Sequence, residues 1–215
     1  MKKLLPYLII MILGIGAFYQ VLHYDFVWDD LLDDLITNPN LQDVNSENLA
    51  GIWQLSFWDK YIPVTFTVRA LLKLAGGNEF NPFIYHLFNL LVHLLNAMLV
   101  FLLLKKFIKL EFAAFLGALI FLLHPLQVES VAWVTANEVL LSTLFGLTSL
   151  LLFMDYREKG KNFRLILSLA CYGLSLLSRP ALIGLPFIFI ILDFIICPRG
   201  NFFFKYESAV SLNIG

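Results

Sequence analysis

The feature that most limits what this chain can fold into is a series of apolar blocks nearly free of charge. The first, LLPYLIIMILGIGAFYQVL (Leu4 to Leu22), follows Lys2 and Lys3. At about 1.5 Å per helical residue it reaches across roughly 28 Å of hydrocarbon. Others run from about Pro82 to Leu104, from Phe112 to the break at Pro125, from Val139 to Met154, from Leu165 to Leu177 and from Leu182 to Ile196. Lipid offers the backbone no hydrogen-bond partners, so blocks of this kind must become helices. Composition agrees: of 215 residues, 60% are hydrophobic and 14% charged, too little charge for the surface of a soluble domain. The expected fold class is an all-α polytopic membrane protein with about six transmembrane helices. The blocks at Phe112 and Leu165 are short for a full span, which fits tilt or a break inside the protein.

The start of the first block admits two readings. Gly14-Ile15-Gly16 offers a small-x-small cleavage site for a signal peptide. The run is longer than a usual signal core, so an uncleaved helix is expected. Six spans with a cytoplasmic N-terminus place Lys2, Lys3, Lys105, Lys106, Lys109, Arg157, Lys159, Lys161, Arg164, Arg199 and Lys205 on the inner side. Lys60, Arg69, Lys73 and Arg179 fall outside, as the positive-inside rule favours. Residues 1–200 are read as one transmembrane domain, with an outer loop over residues 23–81. Residues 201–215 form a tail, either the natural end of the chain or the front of a longer one.

The outer loop holds the densest acid of the chain. FVWDDLLDDL carries Asp29, Asp30, Asp33 and Asp34, with Asp25 just before. TNPNLQDVNSENLAG follows, rich in turn and helix-cap residues. IWQLSFWDKYIPVTF, with Trp53, Phe57, Trp58 and Tyr61, reads as a short helix on the membrane surface. VTFTVRALLKLAGG reads as a second interfacial helix ended by Gly76-Gly77.

Several groups are candidates for chemistry. Asp29 and Asp30 suit a general base, because partial burial raises a carboxyl pKa towards the working pH; the plain alternative is an acidic turn that caps a helix. His86, Asn89, His93 and Asn96 recur at i, i+3, i+7 and i+10, within roughly 80° of one helix face at ~100° per residue. A polar stripe in a span faces the bundle or a wet cavity. For the asparagines, interhelical hydrogen bonding is the simpler reading; His86, nearest the outer surface, has the better claim on a substrate. His124, Glu129 and Asn137 flank HPLQVESVAWVTANE and either line a sugar or acceptor pocket or cap a helix starting at Pro125. Arg179, in LLSRPAL, is placed to contact a lipid phosphate or to anchor at headgroups. Cys171 and Cys197 lie in apolar runs without CxxC spacing or a nearby His, so they read as small apolar residues. No cofactor or metal site is expected, since the carboxylate or thiol partners a metal needs cannot be placed. A net charge of −1 gives no case for nucleic acid.

In order along the chain, FVWDD…ITNPNL, YIPVTFTVRALL, NPFIYHLFNLLVHLLNAMLVFLLL, ALIFLLHPLQVESVAWVTANEVLLSTLF and LSLLSRPALIGLPFIFIILDF resemble the N-terminal membrane region of the transmembrane and tetratricopeptide-repeat proteins. These include O-mannosyltransferases of the C-type glycosyltransferase (GT-C) superfamily. The resemblance covers most of residues 15–195, and HPLQVESVAWV is its most specific part. It implies a GT-C-like partial bundle in the bacterial inner membrane or the endoplasmic reticulum, with its active site outside the cytoplasm. It implies a polyprenyl-phosphate donor of a mannose-like sugar and a protein or glycan hydroxyl as acceptor. Asp29 or Asp30 would serve as base. His86, His124, Glu129, Asn137 and Arg179 would bind substrate around one outer-facing cavity, and the displacement would invert the anomeric centre. Members usually carry a basic step where this chain has Ala136 and Asn137. They also continue into further spans and a repeat array. The rival expectation is a non-catalytic membrane scaffold or an inactive fragment of such an enzyme; a transporter lacks support, since no two halves of the chain look alike.

Overall fold

A computed structural model describes residues 4–27, 30, 35–54, 56–57 and 60–196. Among these every regular element is helical, and an isolated bridge joins Phe57 to Lys60. Asp29, Asp33, Asp34, Trp58, Cys197, Arg199 and Lys205 lie outside the described residues, as does the tail 201–215.

The first apolar block forms α1, Leu5–Phe18, and continues as a 3-10 turn to His23. Two short helices follow, α2 (Pro39–Gln42) and α3 (Ser46–Gln54). The cap chemistry expected of this segment is present. Asn38 Oδ1 accepts from the Asn40 amide, and Asn45 Oδ1 accepts from Asn48. The surface helix expected over IWQLSFWDKYIPVTF is instead the end of α3, a turn at Phe57 and Lys60, and the start of α4, Pro63–Ala75. Proline fixes where α4 begins: Pro63 lacks an amide proton and holds Ile62 out of helical geometry, at φ −131°, ψ 60°. Helix α4 buries one face and leaves Leu71 and Leu74 exposed on the other. Phe66, Arg69, Ala70 and Lys73, one helical face, are buried. The helix ends where Gly76-Gly77 predicts, and Gly77 takes φ +77°.

The bundle proper begins with α5, Pro82–Phe107, opened by Asn81 Oδ1 accepting from the Phe83 amide and by Pro82 in the first turn. Then come α6 (Glu111–Leu123), α7 (Gln127–Ala132), a 3-10 turn at Val134–Ala136, α8 (Asn137–Lys159) and α9 (Asn162–Ser178). A 3-10 turn at Pro180–Leu182 leads into α10, Leu185–Ile196. Helices thus occupy all six apolar blocks. Three helical stretches are long and apolar enough to cross a membrane: Leu5–His23, Pro82–Phe107 and Val134–Lys159. The 13 residues of α6 and the 17 of α9 reach roughly 20 and 26 Å, short of the ~30 Å hydrocarbon layer.

Packing ties α1 to α5 and α6. Ile10, Phe18, Leu94, Ala97, Phe101, Ala118 and Leu122 form one buried cluster. At Gly14 the helices approach so closely that a Cβ would lie 2.3 Å from Leu94 Cδ2. The most extensive helix pair is α8 with α9, an antiparallel hairpin turned at Gly160, whose φ of +66° suits glycine. Serines join the pair. Ser149 donates to the Ser168 carbonyl at 2.7 Å and Ser168 returns a bond to Ser149 at 2.8 Å. One seven-residue step away, Ser175 donates to the Ser142 carbonyl at 2.7 Å and Ser142 donates to the Arg179 carbonyl at 3.0 Å. Around Gly146 the close approach is filled by Leu182. Against α8 packs α10, through the stacked rings of Phe153 and Phe189 at 4.7 Å and an ion pair of Arg157 with Asp193 at 2.5 Å.

Antiparallel packing gives the bundle two chemically different ends. At one end Lys106 pairs with Asp155 at 3.0 Å and Glu158 at 2.8 Å, Lys105 pairs with Glu111, and Arg164 pairs with Asp155. At the other end lie the exit of α1, the loop helices α2 to α4, and the α7–α8 junction. The serine pairs generate a prediction. Replacing Ser149 by Ala should cost under about 1 kcal/mol, the scale of interhelical hydrogen bonds in bilayers. Ser149→Leu should cost about 1–3 kcal/mol, because the added side chain has no room between α8 and α9. Thermal melts of both variants in detergent check the order.

Candidate functional site

The site is built where the link after α1 folds back onto the entrance of α8. Asp30 is fully buried. Its Oδ2 accepts from the Val27 amide at 3.1 Å while its own amide donates to the Val27 carbonyl at 3.2 Å. Its Oδ1 accepts from the Thr135 amide at 2.9 Å, a bond across 105 residues. Thr135 lies in the 3-10 turn between α7 and α8, and from there the next partner is Arg69 of α4. Arg69 Nη2 donates to the Thr135 carbonyl at 2.8 Å, and Nε donates to Asn137 Oδ1 at 3.1 Å. Arg69 is fully buried, with Phe66 beside its guanidinium at 5.3 Å. An acid and a base thus grip the two sides of one residue.

The polar stripe of α5 meets this junction from below. His86, Asn89, His93 and Asn96 are all fully buried. Asn89 Nδ2 donates to the carbonyls of Trp133 at 3.1 Å and Val134 at 3.4 Å, Asn96 Nδ2 to Leu140 at 3.0 Å, and His93 Nε2 meets the Leu122 carbonyl at 3.0 Å. The asparagines thus make the interhelical bonds that the simpler reading of the stripe expected. His86 stands apart. Its ring is edge-on to Tyr24, with centroids 6.4 Å apart, and lies within electrostatic reach of Asp30 and Asp25. The backbone of Tyr24 and Asp25 runs beside it, yet neither ring nitrogen makes a hydrogen bond of ordinary geometry.

Outside this buried network an open cavity of about 820 Å³ lies between the link and α7. The link contributes His23, Tyr24, Asp25 and Val27, and α7 contributes Val128, Glu129, Ala132 and the adjoining Trp133. Of the site residues expected from sequence, Glu129 lines this cavity. Asp30 lies behind its wall, bonded to Val27, and His86 behind Tyr24. Asn137 is buried against Arg69. His124 is exposed and accepts from the Leu126 amide through Nδ1 at 3.3 Å, a bond just ahead of α7, which begins at Gln127 and not at Pro125 and carries no side-chain cap. Arg179 is absent from the lining; its Nη1 pairs with Glu138 at 2.5 Å and much of its side chain remains exposed. Asp29 lies outside the described residues. Among those described, no cluster of His, Cys, Asp and Glu is arranged to hold a metal.

A family model for dolichyl-phosphate-mannose-protein mannosyltransferase matches residues 60–209. Curated relatives are similar over much of the chain. A protein O-mannosyl-transferase of Caenorhabditis elegans is 32% identical over 203 residues, 87% of this chain and 28% of the relative. Protein O-mannosyl-transferase TMTC4 of Homo sapiens is 31% identical over 64% of this chain and 21% of its own length. Protein O-mannosyl-transferase TMTC3 of Homo sapiens is 28% identical over 74% of this chain and 18% of its own length. The chain belongs to the transmembrane and tetratricopeptide-repeat O-mannosyltransferase-like family. It is an integral membrane protein, and it spans about a quarter of the length of the curated relatives it matches. No solved structure matches it.

Within this O-mannosyltransferase-like bundle, the residue that sequence reasoning passed over is Arg69. It was counted only as an outer-loop charge. The signal was present: Phe66, Arg69, Ala70 and Lys73 share one face at i, i+3, i+4 and i+7, so the two cations sit on the apolar stripe. Lys73 uses the same face to bond the Leu41 and Gln42 carbonyls at the end of α2, with its ammonium 4.4 Å from the centre of the Phe80 ring. Thr135 escaped because its contribution is backbone. The Asp30 clamp makes a prediction. Asp30→Ala leaves the buried Thr135 amide and the part-buried Val27 amide without their acceptors, and the buried one alone costs about 1–3 kcal/mol. Hydrogen exchange should show both amides protected in the native chain and exposed in the variant.

Proposed function

We propose that the chain is the membrane region of a glycosyltransferase that moves mannose from a polyprenyl-phosphate donor to a hydroxyl of a protein or glycan. The observation that carries this reading is the fold-back of the acidic link onto the α7–α8 junction. It brings Asp25 of the link and Glu129 of α7 into the lining of one cavity whose size suits a small ligand. The names of the relatives and of the family model support the class of reaction. On this reading all six apolar helices sit in the bilayer, the lysine-rich end faces the cytoplasm, and the cavity faces the opposite compartment.

The reaction is a single displacement. A carboxylate at position 29 or 30 takes the proton of the acceptor hydroxyl. The oxygen bonds to the anomeric carbon as the bond to phosphate breaks, polyprenyl phosphate departs, and the centre inverts. Both oxygens of Asp30 are occupied by backbone amides, so Asp30 can act only if the link loosens. Arg179 is the proposed phosphate contact, since the pair with Glu138 uses one of its nitrogens and the side chain stays open to the outer face. His86, Asn137, His124 and Glu129 hold or flank substrate.

A second reading, a non-catalytic membrane scaffold, is favoured by one observation: both oxygens of the buried Asp30 are taken up by backbone amides. The two readings part in an assay of mannose transfer from polyprenyl-phosphate mannose by membranes containing the chain within its full-length protein. Loss of the base should lower kcat by roughly 100-fold or more. Asp29→Asn is expected to lose activity without loss of thermal stability, whereas Asp30→Asn should lose both. Arg179→Gln should lower kcat/KM at least tenfold, the scale of one charge-assisted bond. Full activity in Asp29→Asn and in Asp30→Asn together would remove both from the role of base.

A further inference from the structure

The walls of the cavity carry a charge pattern that the reaction itself does not require. Asp25 comes from the link and Glu129 from α7, so each wall contributes one carboxylate. Neither is neutralised. Asp25 Oδ1 accepts only from the neighbouring Phe26 amide, and no cation pairs with either side chain among the described residues. Among the described residues the lining contains no Lys or Arg, and His23 is the ring there able to carry positive charge. The remaining surface is apolar or aromatic, with Tyr24 half-exposed and Trp133 beside it. Behind the wall lies His86, a fully buried imidazole without a hydrogen-bond partner of ordinary geometry, against Tyr24 and Asp25. A donor phosphate would be repelled by two like charges here, while the outer-facing guanidinium of Arg179 lies elsewhere. A cationic group would meet two carboxylates and the faces of aromatic rings.

We propose that Asp25 and Glu129 make this cavity the entry for the acceptor and select polypeptide segments that carry Lys or Arg beside the hydroxyl. The proposal rests on the transferase reading for what happens after binding, but the selection itself is a matter of charge. Exposed ion pairs are individually weak, so each carboxylate contributes roughly a two- to fivefold preference, screened by salt.

The test uses fluorescein-labelled pentapeptides with a central threonine flanked by lysines, by alanines or by glutamates. Their binding to the chain in neutral detergent micelles is read by fluorescence anisotropy. The lysine-flanked peptide should bind about fivefold or more tightly than the alanine-flanked one, with the glutamate-flanked one weakest, and high salt should compress the order. Asp25→Asn and Glu129→Gln should each reduce the preference, the double variant should abolish it, and Glu129→Lys should reverse it. Both sites are exposed and the replacements nearly isosteric, so melting temperatures should stay unchanged. Equal binding of the three peptides, or an order that survives the double variant, overturns the proposal. So does a change in affinity for polyprenyl phosphate, instead of peptide, in these variants, since the cavity would then serve the donor. Charge-ordered binding without any transfer of mannose supports the selection and counts against the transferase reading alone.

Discussion

Thr135 is the point on which the end of the bundle that holds the cavity depends. Its amide is held by the Asp30 carboxylate and its carbonyl by the Arg69 guanidinium. These are bonds of ionised groups in a buried place, where they are shorter and stronger than neutral ones and where an unpaired charge is severely unfavourable. Neither charged side chain has a better option. The link cannot leave without stranding an acid, and α4 cannot leave without stranding a cation. Because Asn89 bonds the carbonyls just before Thr135 and Asn137 bonds Arg69 just after it, α5 and α8 are drawn into the same joint. The cavity wall is a consequence: Val27, which lines it, is fixed by the same carboxylate.

The lower half works by a different rule. Lipid supplies no hydrophobic drive between helices, so close approach and polar links must do the joining. Small residues permit the approach at Gly14 and Gly146, and reciprocal serine bonds span α8 and α9. Charge is confined to the end of the bundle, where Asp155 gathers Lys106, Lys159 and Arg164. The fold therefore separates tasks. A well-packed lower bundle sets where α5 and α8 stand, and the buried joint above sets where the acidic link and α7 stand around the cavity.

Much of this was legible in the sequence because its causes are local or periodic. Apolar runs placed the long helices, Pro82 marked the start of α5, and Gly76-Gly77 placed the end of α4. The stripe of His86, Asn89, His93 and Asn96 is buried as its spacing requires. What sequence reasoning missed depends on where the chain goes next. An acidic run on an outer loop looks solvated until a partner amide 105 residues away takes Asp30 inside. Arg69 and Lys73 looked like surface charge because periodicity was read for apolar residues alone. Ser142 with Ser149, and Ser168 with Ser175, repeat at seven residues on two helices. That spacing marks one face, but nothing local says the two faces meet.

The joint at Thr135 is tested most directly by a double-mutant cycle between Asp30→Ala and Arg69→Met, read as unfolding free energy of the chain in detergent. Two groups that act through one residue should be coupled, so the double variant should be less destabilised than the sum of the singles by about 0.5–3 kcal/mol. Additivity to within about 0.3 kcal/mol would mean that Asp30 and Arg69 act independently, and would contradict the central role given to their shared grip on Thr135.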